Sequence, residues 1–407
     1  MATAKGSTAT TSVALMLGLV ASCGGPVLDM GQDTLGCPVY RPCYAPRDTL
    51  ASEPATGAPT VVAAHQYVAT ALAIDATRVY WTTQADGRES KAQRPAETAV
   101  VRSCAKDDCA GTVVTYATMQ HGATKIAVND RDVFWTMTSD PTSVMSAIVA
   151  CPIAGCTEDP RVIVMGMTTE SLTVDDANVY WLSSDALLRC PVSGCEGSPV
   201  VVAALGTPTG FSFLANNVVV DGASIFLAMS NGDRTARIVE LDKDGAQPMR
   251  VIADGLQQPQ SLAVDAANVY WSEAVAASIK SCPRTGCSDA VGALVDRAGY
   301  AALIAVQPGG VQWFSSPAYW FSSWIPVATA ELLACPSAGC VAQPVVLATE
   351  EDGPMAIAAD ASHVYWTSRG RSKYPTYRTG GPGPSSVPAA NRGPFLDGAV
   401  KRIRRRP

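Results

Sequence analysis

Charged residues are scarce in this sequence, and histidine is almost missing. Asp, Glu, Lys and Arg make up 16% of the 407 residues, well below the usual quarter, and there are only three histidines. The formal net charge is -6 and no domain-wide basic region exists, which argues against binding to nucleic acid. No Ser-His-Asp, HExxH or phosphate-loop pattern occurs, so His65, His121 and His363 do not mark a familiar catalytic centre. We expect no cofactor and no metal.

Long apolar runs are also missing, apart from a short one near the N-terminus. The stretch "SVALMLGLVA" is too short to span a bilayer and leads into "LVASCGG". Val20-Ala21-Ser22-Cys23 resembles a bacterial lipobox, which implies that residues 1–22 are a signal peptide and that Cys23 is lipidated. We therefore expect a protein of the bacterial cell envelope, held to a membrane by acyl chains. The alternative is an ordinary secretory signal that leaves Cys23 as a plain thiol.

The residue after Cys23 bears on which membrane is reached. It is Gly24 rather than Asp, which favours the outer membrane by analogy with Gram-negative sorting. The protein is then expected to face the periplasm or the cell surface. We expect a monomer whose partners are the membrane, through the lipid anchor, and an envelope protein or glycan.

Cysteine is present in 13 copies, and all except Cys23 fall into close pairs. The six pairs are Cys37/Cys43, Cys104/Cys109, Cys151/Cys156, Cys190/Cys195, Cys282/Cys287 and Cys335/Cys340. An exported chain whose cysteines come in pairs suits an oxidising compartment.

One phrase recurs along the chain at the spacing of propeller blades. It occurs as "LAIDATRVYWTT" from Leu72, "IAVNDRDVFWTM" from Ile126, "LTVDDANVYWLS" from Leu172, "LAVDAANVYWSE" from Leu262 and "IAADASHVYWTS" from Ile357. Two degenerate copies start at Val218 and Ile304, which makes seven. Each copy predicts two antiparallel strands around a turn. The Asp that opens the turn can bond backbone amides ahead of it, and the residue that ends the turn can tolerate a left-handed backbone.

A third and a fourth strand follow each copy, with the cysteine pair between them, as in "ALLRCPVSGC" and "PVVVA". In the fourth copy Leu241 and Ala246 occupy the cysteine positions, so both cysteines are replaced together while Gly245 remains. Zinc needs four ligands where each hairpin offers two, and a redox centre favours a C-x-x-C spacing. The pairs are therefore predicted to be disulfides across the third and fourth strands, where facing Cα atoms lie roughly 4.5 to 5.5 Å apart.

The chain ends predict how the ring closes. The last copy has a third strand, "GAVKRIRR", but no fourth, whereas "PTVVAAHQ" before the first copy matches the other fourth strands. We predict an all-β, seven-bladed β-propeller of four-stranded antiparallel blades, with residues 59–65 completing the seventh blade. Residues 23–58 form a Gly/Pro-rich tether, and residues 59–407 form the single propeller, with a flexible insertion at 369–397.

The phrase "AVDxxNVYW" resembles the YWTD repeat of LDL-receptor class B propellers and, more loosely, the NHL-type repeat. Two departures are that YWTD propellers have six blades and that the Asp after "YWT" is missing here. The "CPxxGC" hairpin is similar to that of uncharacterised bacterial lipoproteins built from the same repeat. This resemblance implies a propeller and carries no activity with it.

Long connections between the second and third strands are the candidates for ligand binding. One of them, "SSPAYWFSSWIPVA", concentrates Tyr319, Trp320, Phe321 and Trp324, which can stack on sugar rings or anchor a protein partner. Alternatively, these aromatic residues extend a strand and pack between blades. Two function classes follow: a binding or scaffold module for a protein or glycan, and a propeller enzyme, such as a lyase or glycan-active enzyme, with its site at the channel mouth. The repeated Asp residues are expected to cap turns rather than to bind calcium.

Overall fold

The computed structural model describes residues 58–404 except 67, 85–98, 119, 139–145, 184, 206–217, 231–234, 246, 274–275, 288–290, 297, 317–329, 341–342 and 371–397. These residues form 28 β-strands in seven four-stranded antiparallel sheets. No helix in this part of the chain is long and apolar enough to cross a membrane. The predicted seven-bladed β-propeller is confirmed.

The first three blades follow one another along the chain, and we call their strands a to d in order. Blade one contains β2 (Val68–Ile74), β3 (Arg78–Gln84), β4 (Val101–Ala105) and β5 (Val114–Ala117). Blade two contains β6 (Ile126–Val128), β7 (Asp132–Thr138), β8 (Ser146–Pro152) and β9 (Arg161–Met167). Blade three contains β10 (Ser171–Val174), β11 (Asn178–Leu182), β12 (Ala186–Pro191) and β13 (Val200–Ala204).

The next three blades repeat the same order, including the two that start from degenerate copies. Blade four contains β14 (Val218–Asp221), β15 (Ser224–Ser230), β16 (Ala236–Asp242) and β17 (Arg250–Leu256). Blade five contains β18 (Pro259–Val264), β19 (Asn268–Glu273), β20 (Ser278–Pro283) and β21 (Ala293–Val295). Blade six contains β22 (Tyr300–Gln307), β23 (Gly310–Ser316), β24 (Ala330–Pro336) and β25 (Val345–Glu351).

Blade seven is built from both ends of the described chain, as predicted. Its strands a to c are β26 (Pro354–Ala359), β27 (His363–Ser368) and β28 (Ala399–Arg404), and its strand d is β1 (Thr60–Ala63). β1 pairs antiparallel with β28, with Thr60 opposite Arg402 and Ala63 opposite Val400. The amide of Gln66 then donates to the carbonyl of Gly398 at 2.8 Å before the chain enters blade one.

The a strands form a closed inner ring. Each one contacts the a strands of the two neighbouring blades, and β2 of blade one contacts β26 of blade seven. The apolar core lies between blades, because the strand b residue Trp271 of blade five packs with Phe226 and Ile252 of blade four. The same layer recurs around the ring, and the repeated tryptophans Trp81, Trp135, Trp181, Trp271, Trp313 and Trp366 are all fully buried.

The outer edge of every blade is irregular. The pairing of strands c and d contains a register shift in each of the seven sheets. Such bulges bend an edge strand away from regular pairing and protect it against edge-to-edge association. The irregularity is therefore a shared property of the repeat.

Antiparallel order within the blades divides the connections between two rims. We call the edge that carries the a–b turns and the c–d connections the stapled rim, and the edge that carries the b–c and d–a connections the loop rim. The a–b turns are uniform, at residues 75–77, 129–131, 175–177, 222–223, 265–267, 308–309 and 360–362. The b–c connections range from residues 183–185 in blade three to 369–398 in blade seven.

Candidate functional site

The repeated Asp residues of the stapled rim cap the a–b turns. Oδ1 of Asp265 accepts the amides of Ala267 and Asn268, both at 2.8 Å. Asp75, Asp175 and Asp360 make the same pair of bonds, as does Asn129 through its amide oxygen. The turn-capping interpretation is therefore confirmed. In the described residues, no group of three or more His, Cys, Asp or Glu side chains is placed to hold a metal ion.

The residues that end these turns do not adopt the left-handed backbone that Asn or Asp can tolerate. Arg78, Asp132, Asn178, Asn268 and His363 all lack a positive φ. The two amide bonds from the Asp carboxylate already hold the turn, so its last residue can enter strand b with an ordinary extended backbone. A positive φ occurs only in the degenerate turns, at Gly222 (61°) and Gly309 (90°).

The second oxygen of the capping Asp binds a buried tyrosine of the same blade. The hydroxyl of Tyr270 donates to Oδ2 of Asp265 at 2.8 Å, and that of Tyr180 donates to Oδ2 of Asp175 at 3.1 Å. Burial, followed by the hydrogen bond and the charge of Asp265, raises the pKa of Tyr270 to about 12. These tyrosines therefore stay neutral donors, and they join each turn to the core.

Three blades extend this network to their neighbour with a cation. Nζ of Lys243 in blade four lies 2.5 Å from Oδ2 of Asp175 in blade three and 5.9 Å from the centre of the Tyr180 ring. Nζ of Lys106 in blade one reaches Asp360 of blade seven in the same way, at 2.7 Å. Arg284 of blade five pairs with Asp221 of blade four over the Phe226 ring. The first residue of the c–d connection is thus an inter-blade contact in these three blades.

Five of the six predicted cysteine pairs are disulfides. Their Cα–Cα distances are 4.7 Å for Cys104–Cys109, 5.3 Å for Cys151–Cys156, 5.4 Å for Cys190–Cys195, 5.4 Å for Cys282–Cys287 and 5.3 Å for Cys335–Cys340. The sixth pair, Cys37 and Cys43, lies outside the described residues, as does Cys23.

The position of these disulfides differs from the one expected. The first cysteine is the penultimate residue of strand c, as Cys190 is in β12, but Cys195 lies in the connection, ahead of β13. The bridge therefore closes the c–d connection on itself instead of joining two facing strand residues. The closed connection also rests on the preceding blade, because the Cys195 amide donates to the carbonyl of Ile163 in β9 at 3.1 Å.

The glycine of the connection makes this approach possible. Gly194 has a φ of 107°, and a Cβ there would lie 3.3 Å from the carbonyl oxygen of Val162 in blade two. Gly339 of blade six is similar, with a φ of 102° and 3.3 Å to the carbonyl oxygen of Leu294. A side chain would strain the backbone and push against the neighbouring strand d.

The loop rim buries ionisable groups beneath its connections. Indole Nε1 of Trp366 donates to Glu351 at 2.9 Å, and Lys401 holds the same carboxylate oxygen at 2.9 Å. Glu273 pairs with Lys280 at 3.0 Å and accepts from Trp271 at 3.2 Å. Sequence inspection missed these pairs. For Glu351 the available signal is a spacing of 15 residues before the tryptophan, which also places Gln66 before Trp81 and Gln120 before Trp135; Glu273 has no such signal, because it follows Trp271 by two residues.

The channel mouth at the loop rim is formed where the a strands begin. We compare the residue that lies two positions before the repeated phrase in each blade. It is described in six blades and is polar in four of them, and in blade two it is followed by Lys125. These polar residues are Thr70, Thr124, Glu170 and Gln260, whereas blades six and seven present Ala302 and Met355. Burial lowers the pKa of the Lys125 ammonium, and the charge of Glu170 partly opposes that change. The described starts of the a strands therefore include one lysine and one glutamate, together with hydroxyl, amide and apolar side chains.

The predicted binding residues Tyr319, Trp320, Phe321 and Trp324 lie outside the described residues. They belong to the connection between β23 and β24, which places that connection on the loop rim. Among the histidines, His65 follows the closing strand with a φ of 56°, and Nδ1 of His363 lies 2.8 Å from the Ser362 hydroxyl. His65 and His121 lie in different connections and His363 begins β27, so the fold does not gather the three histidines into one site.

The fold defines a β-propeller with disulfide-closed c–d connections. No protein-family model and no curated protein matches the chain. Solved structures similar to it include the WD40 β-propeller domain of Doa1, with 14% identity, 76% of this chain and 94% of that chain covered, and a TM-score of 0.48. A streptogramin B lyase structure has 10% identity, covers 84% of this chain and 95% of that one, and has a TM-score of 0.47.

A nidogen/laminin complex has 19% identity, covers 53% of this chain and 76% of that chain, and has a TM-score of 0.37. Likenesses of this size carry no argument about the activity of this chain. The propeller assignment stands on the seven sheets themselves.

Proposed function

We propose that this protein is a lipid-anchored protein of the bacterial cell envelope, most simply of the outer membrane, whose propeller is a binding or scaffold module for a protein or glycan ligand. The ligand is contacted by the loop rim. The observation that carries this proposal is the contrast between the rims: the a–b turns are two or three residues long, whereas b–c connections reach residues 85–100, 317–329 and 369–398. Variable connections on a rigid scaffold are the usual carriers of binding.

The anchor rests on the sequence alone. Cys23 in "VASC" would carry the acyl chains, and residues 23–58 would connect it to β1. Mass spectrometry of the exported protein tests this point, since a mature N-terminus at Cys23 with attached acyl chains is expected. A Cys23→Ser variant should then appear in the soluble periplasmic fraction, and an unlipidated wild-type protein would contradict the anchor.

The binding role is tested by capture from detergent-solubilised envelope with the full-length protein. Replacing Tyr319, Trp320 and Trp324 by alanine should abolish capture of any partner that the wild type retains. A matched variant on the stapled rim, Glu158→Ala with Asp159→Ala, changes two exposed side chains and should leave capture unchanged. If the aromatic variant captures the same partners as the wild type, the proposed site is wrong.

The enzyme alternative requires acidic or histidine side chains that converge on the channel mouth. Within the described a-strand starts, Glu170 is the acidic residue at that level. Turnover of an envelope glycan by the purified protein, lost in Glu170→Gln, would favour this second class over a binding module.

A further inference from the structure

The interface between blades seven and one, which we call the closure seam, has the smallest apolar core of the ring. Among the described residues, its cluster contains five buried side chains, which are Val79, Trp81, Cys104, Tyr365 and Val400. The clusters at the other six interfaces contain eight to eleven. Because apolar burial is the main attraction between packed sheets, the closure seam depends more than the other interfaces on its polar contacts.

Those polar contacts form a continuous chain from blade one to the first residue of β27. Nζ of Lys106 in blade one lies 2.7 Å from Oδ2 of Asp360 in blade seven. The hydroxyl of Ser362 donates to Oδ1 of Asp360 at 2.8 Å, and Nδ1 of His363 lies 2.8 Å from the same hydroxyl. The ring centres of His363 and Tyr365 are 5.9 Å apart, and Nζ of Lys106 lies 5.3 Å from the centre of the Tyr365 ring. An imidazole is thereby connected to the ion pair that joins the two blades.

Three cations and two carboxylates lie around His363 in this network. Arg404 is directly opposite His363 on β28, and Arg402 precedes it by two residues on the same strand. Arg402 also reaches blade one, where it lies 3.7 Å from Oδ1 of the exposed Asp107. Strand β1 adds no charged residue. The full set is Lys106, Asp107, Asp360, Arg402 and Arg404, so the network is already positive before His363 takes up a proton.

This environment opposes protonation of the imidazole. Burial and the charge of Arg402 lower the pKa of His363, and Asp360 only partly opposes the change. When the closure seam opens, water reaches the ring and its pKa returns toward the ordinary value of about 6.5. The open form then binds the proton more readily than the closed form does. The closed seam is therefore most stable above a pH of about 6.5 and loses stability as the pH falls below it.

We propose that the closure seam is a pH-sensitive joint that loosens in mildly acidic surroundings. A proton on His363 adds a positive charge beside Arg402, and through Ser362 this charge competes with Lys106 for the carboxylate of Asp360. The ring then opens at the one interface where the two ends of the propeller chain meet. The joint acts on ring closure, so it goes beyond the binding role proposed above and does not depend on any ligand.

The interface between blades three and four provides an internal reference. Its ion pair, Lys243 with Asp175, has the same geometry, with Nζ 2.5 Å from Oδ2. Asn178 occupies the position of His363 there, and Ala177 occupies that of Ser362. No group of that turn titrates in mildly acidic solution, so this interface should stay closed when the closure seam opens.

Hydrogen–deuterium exchange of the purified full-length protein tests the proposal. It is measured at about pH 7.5 and 5.5 and corrected for the intrinsic pH dependence of amide exchange. Exchange of β1 should be about threefold faster or more at the lower pH, whereas β13, the equivalent strand of blade three, should change much less. NMR of ¹³C-labelled histidines gives the pKa of His363 directly, and it should lie below about 6.5.

His363→Asn should abolish the pH dependence of β1, since Asn fills that position in blades three and five. His121→Asn is the matched control, because it removes a histidine outside the closure seam and should keep the dependence. Lys106→Met lacks the ion pair, so β1 should exchange faster at both pH values. Thermal unfolding of each variant at the higher pH checks that it is folded.

Three results would overturn the proposal. The first is the same acid-induced increase in His363→Asn as in the wild type, and the second is an equal change in β1 and β13. The third is a pKa of His363 above the ordinary value, because acid would then strengthen the closed seam. Wild-type exchange of β1 in Lys106→Met would likewise show that the ion pair does not hold the seam.

Discussion

Blades three and four close the same c–d connection by different chemistry. In blade three Cys190 and Cys195 form a covalent bridge, with Gly194 between them at a φ of 107°. In blade four the equivalent segment is Leu241 to Ala246, and Gly245 keeps a φ of 69°. Blade four has no disulfide at this connection, and its Lys243 forms an ion pair with Asp175 of the preceding blade.

The two blades show that the c–d connection requires a glycine at this position and does not require a disulfide. A glycine at the same position is common to both blades, and a Cβ at Gly245 would lie 3.7 Å from the carbonyl oxygen of Val202 on the preceding blade. Blade one combines both solutions, because Cys104–Cys109 is a disulfide and Lys106 still pairs with Asp360. The close approach of the glycine to the preceding blade is therefore shared by these blades. The disulfide and the ion pair can each be present or absent.

The largest effect is expected where the ring itself closes, between blades seven and one. Deleting residues 59–63 removes β1 and leaves the outer edge of β28 unpaired. On the outer side of the ring, the c–d connection of blade one would then be left to hold blade one against blade seven. We expect loss of the single cooperative unfolding transition in urea, monitored by tryptophan fluorescence. Deleting residues 52–56 is the length-matched control and should preserve the transition. If the β1 deletion variant unfolds like the wild type, the contacts between blades one and seven are enough to close the ring without β1.

The next effect distinguishes the two glycines. Gly194→Ala forces a side chain into a φ that L-residues avoid and against the carbonyl of Val162, and should cost about 2 to 3 kcal/mol. Gly245→Ala should cost about 1 kcal/mol, because a φ of 69° is in the left-handed region and the neighbour is farther away. Urea denaturation measures both. Equal costs would show that the blade-three connection has room to relax.

Removal of the covalent closure tests its contribution directly. Cys190→Ala with Cys195→Ala should lower the free energy of unfolding by about 2 kcal/mol, the value expected for so small a loop. The pair Cys282→Ala with Cys287→Ala should behave alike, since its Cα–Cα distance is also 5.4 Å. Both variants should still fold, because blade four forms its four strands without a cysteine pair. Failure of either to fold would contradict the interchangeability of the closures.

The ionic closure should be weaker and dependent on pH. Lys243→Met should cost about 1 kcal/mol at pH 7, because the pair with Asp175 is only partly buried. Burial opposes ionisation of Asp175, but the hydrogen bonds from Lys243 and from the amides of Asn178 and Ala177 prevail and lower its pKa. A lowered folded-state pKa stabilises the fold above the unfolded value of about 3.9 and loses that contribution as the pH falls.

The Lys243→Met variant should therefore lose less stability than the wild type between pH 7 and pH 3. Urea denaturation at both pH values gives the comparison. An equal loss in the two proteins would show that the backbone amides alone set the pKa of Asp175. Lys280→Met is unsuitable as a control because Glu273 is buried, whereas Arg404→Met removes an exposed charge from blade seven, away from Asp175.

The smallest effect is a gain. Blade six carries Ser337 where blades one, four and five carry a cation, and Asp265 of blade five occupies the position of Asp175 and Asp360. Ser337→Lys should stabilise the protein by about 0.5 kcal/mol through a new pair with Asp265. Thermal unfolding at low and high salt detects it, since the gain should fade at high salt. Ser337→Met is the uncharged control.

Most of the fold followed from the repeated phrase. The strand pairs around the Asp-headed turn, the degenerate copies at Val218 and Ile304 and the closing strand all follow from a period-two pattern and from the match between "PTVVA" and "PVVLA". These local patterns can be recognised in the sequence because equivalent residues make the same contacts in each blade. The inter-blade contacts were harder to predict, because the docking of Cys195 on Ile163 depends on a neighbour 32 residues away.

The candidate site was less predictable than the fold. Lys125 was not singled out, because a single lysine beside an apolar strand has no periodic signature. The predicted Tyr319, Trp320, Phe321 and Trp324 remain a prediction. Long connections have no repeated pattern, so their sequences show which residue types are present but not where the side chains lie.

The direction of the contacts between blades has a consequence for the order in which the blades can be secured during folding. Each c–d connection holds the blade synthesised before it, so a blade is secured only after its successor has emerged. Lys106 is the exception, because its carboxylate partner, Asp360, lies 254 residues downstream. The inter-blade contact of the first blade therefore forms last, and a chain interrupted before Asp360 is synthesised would remain an open ring.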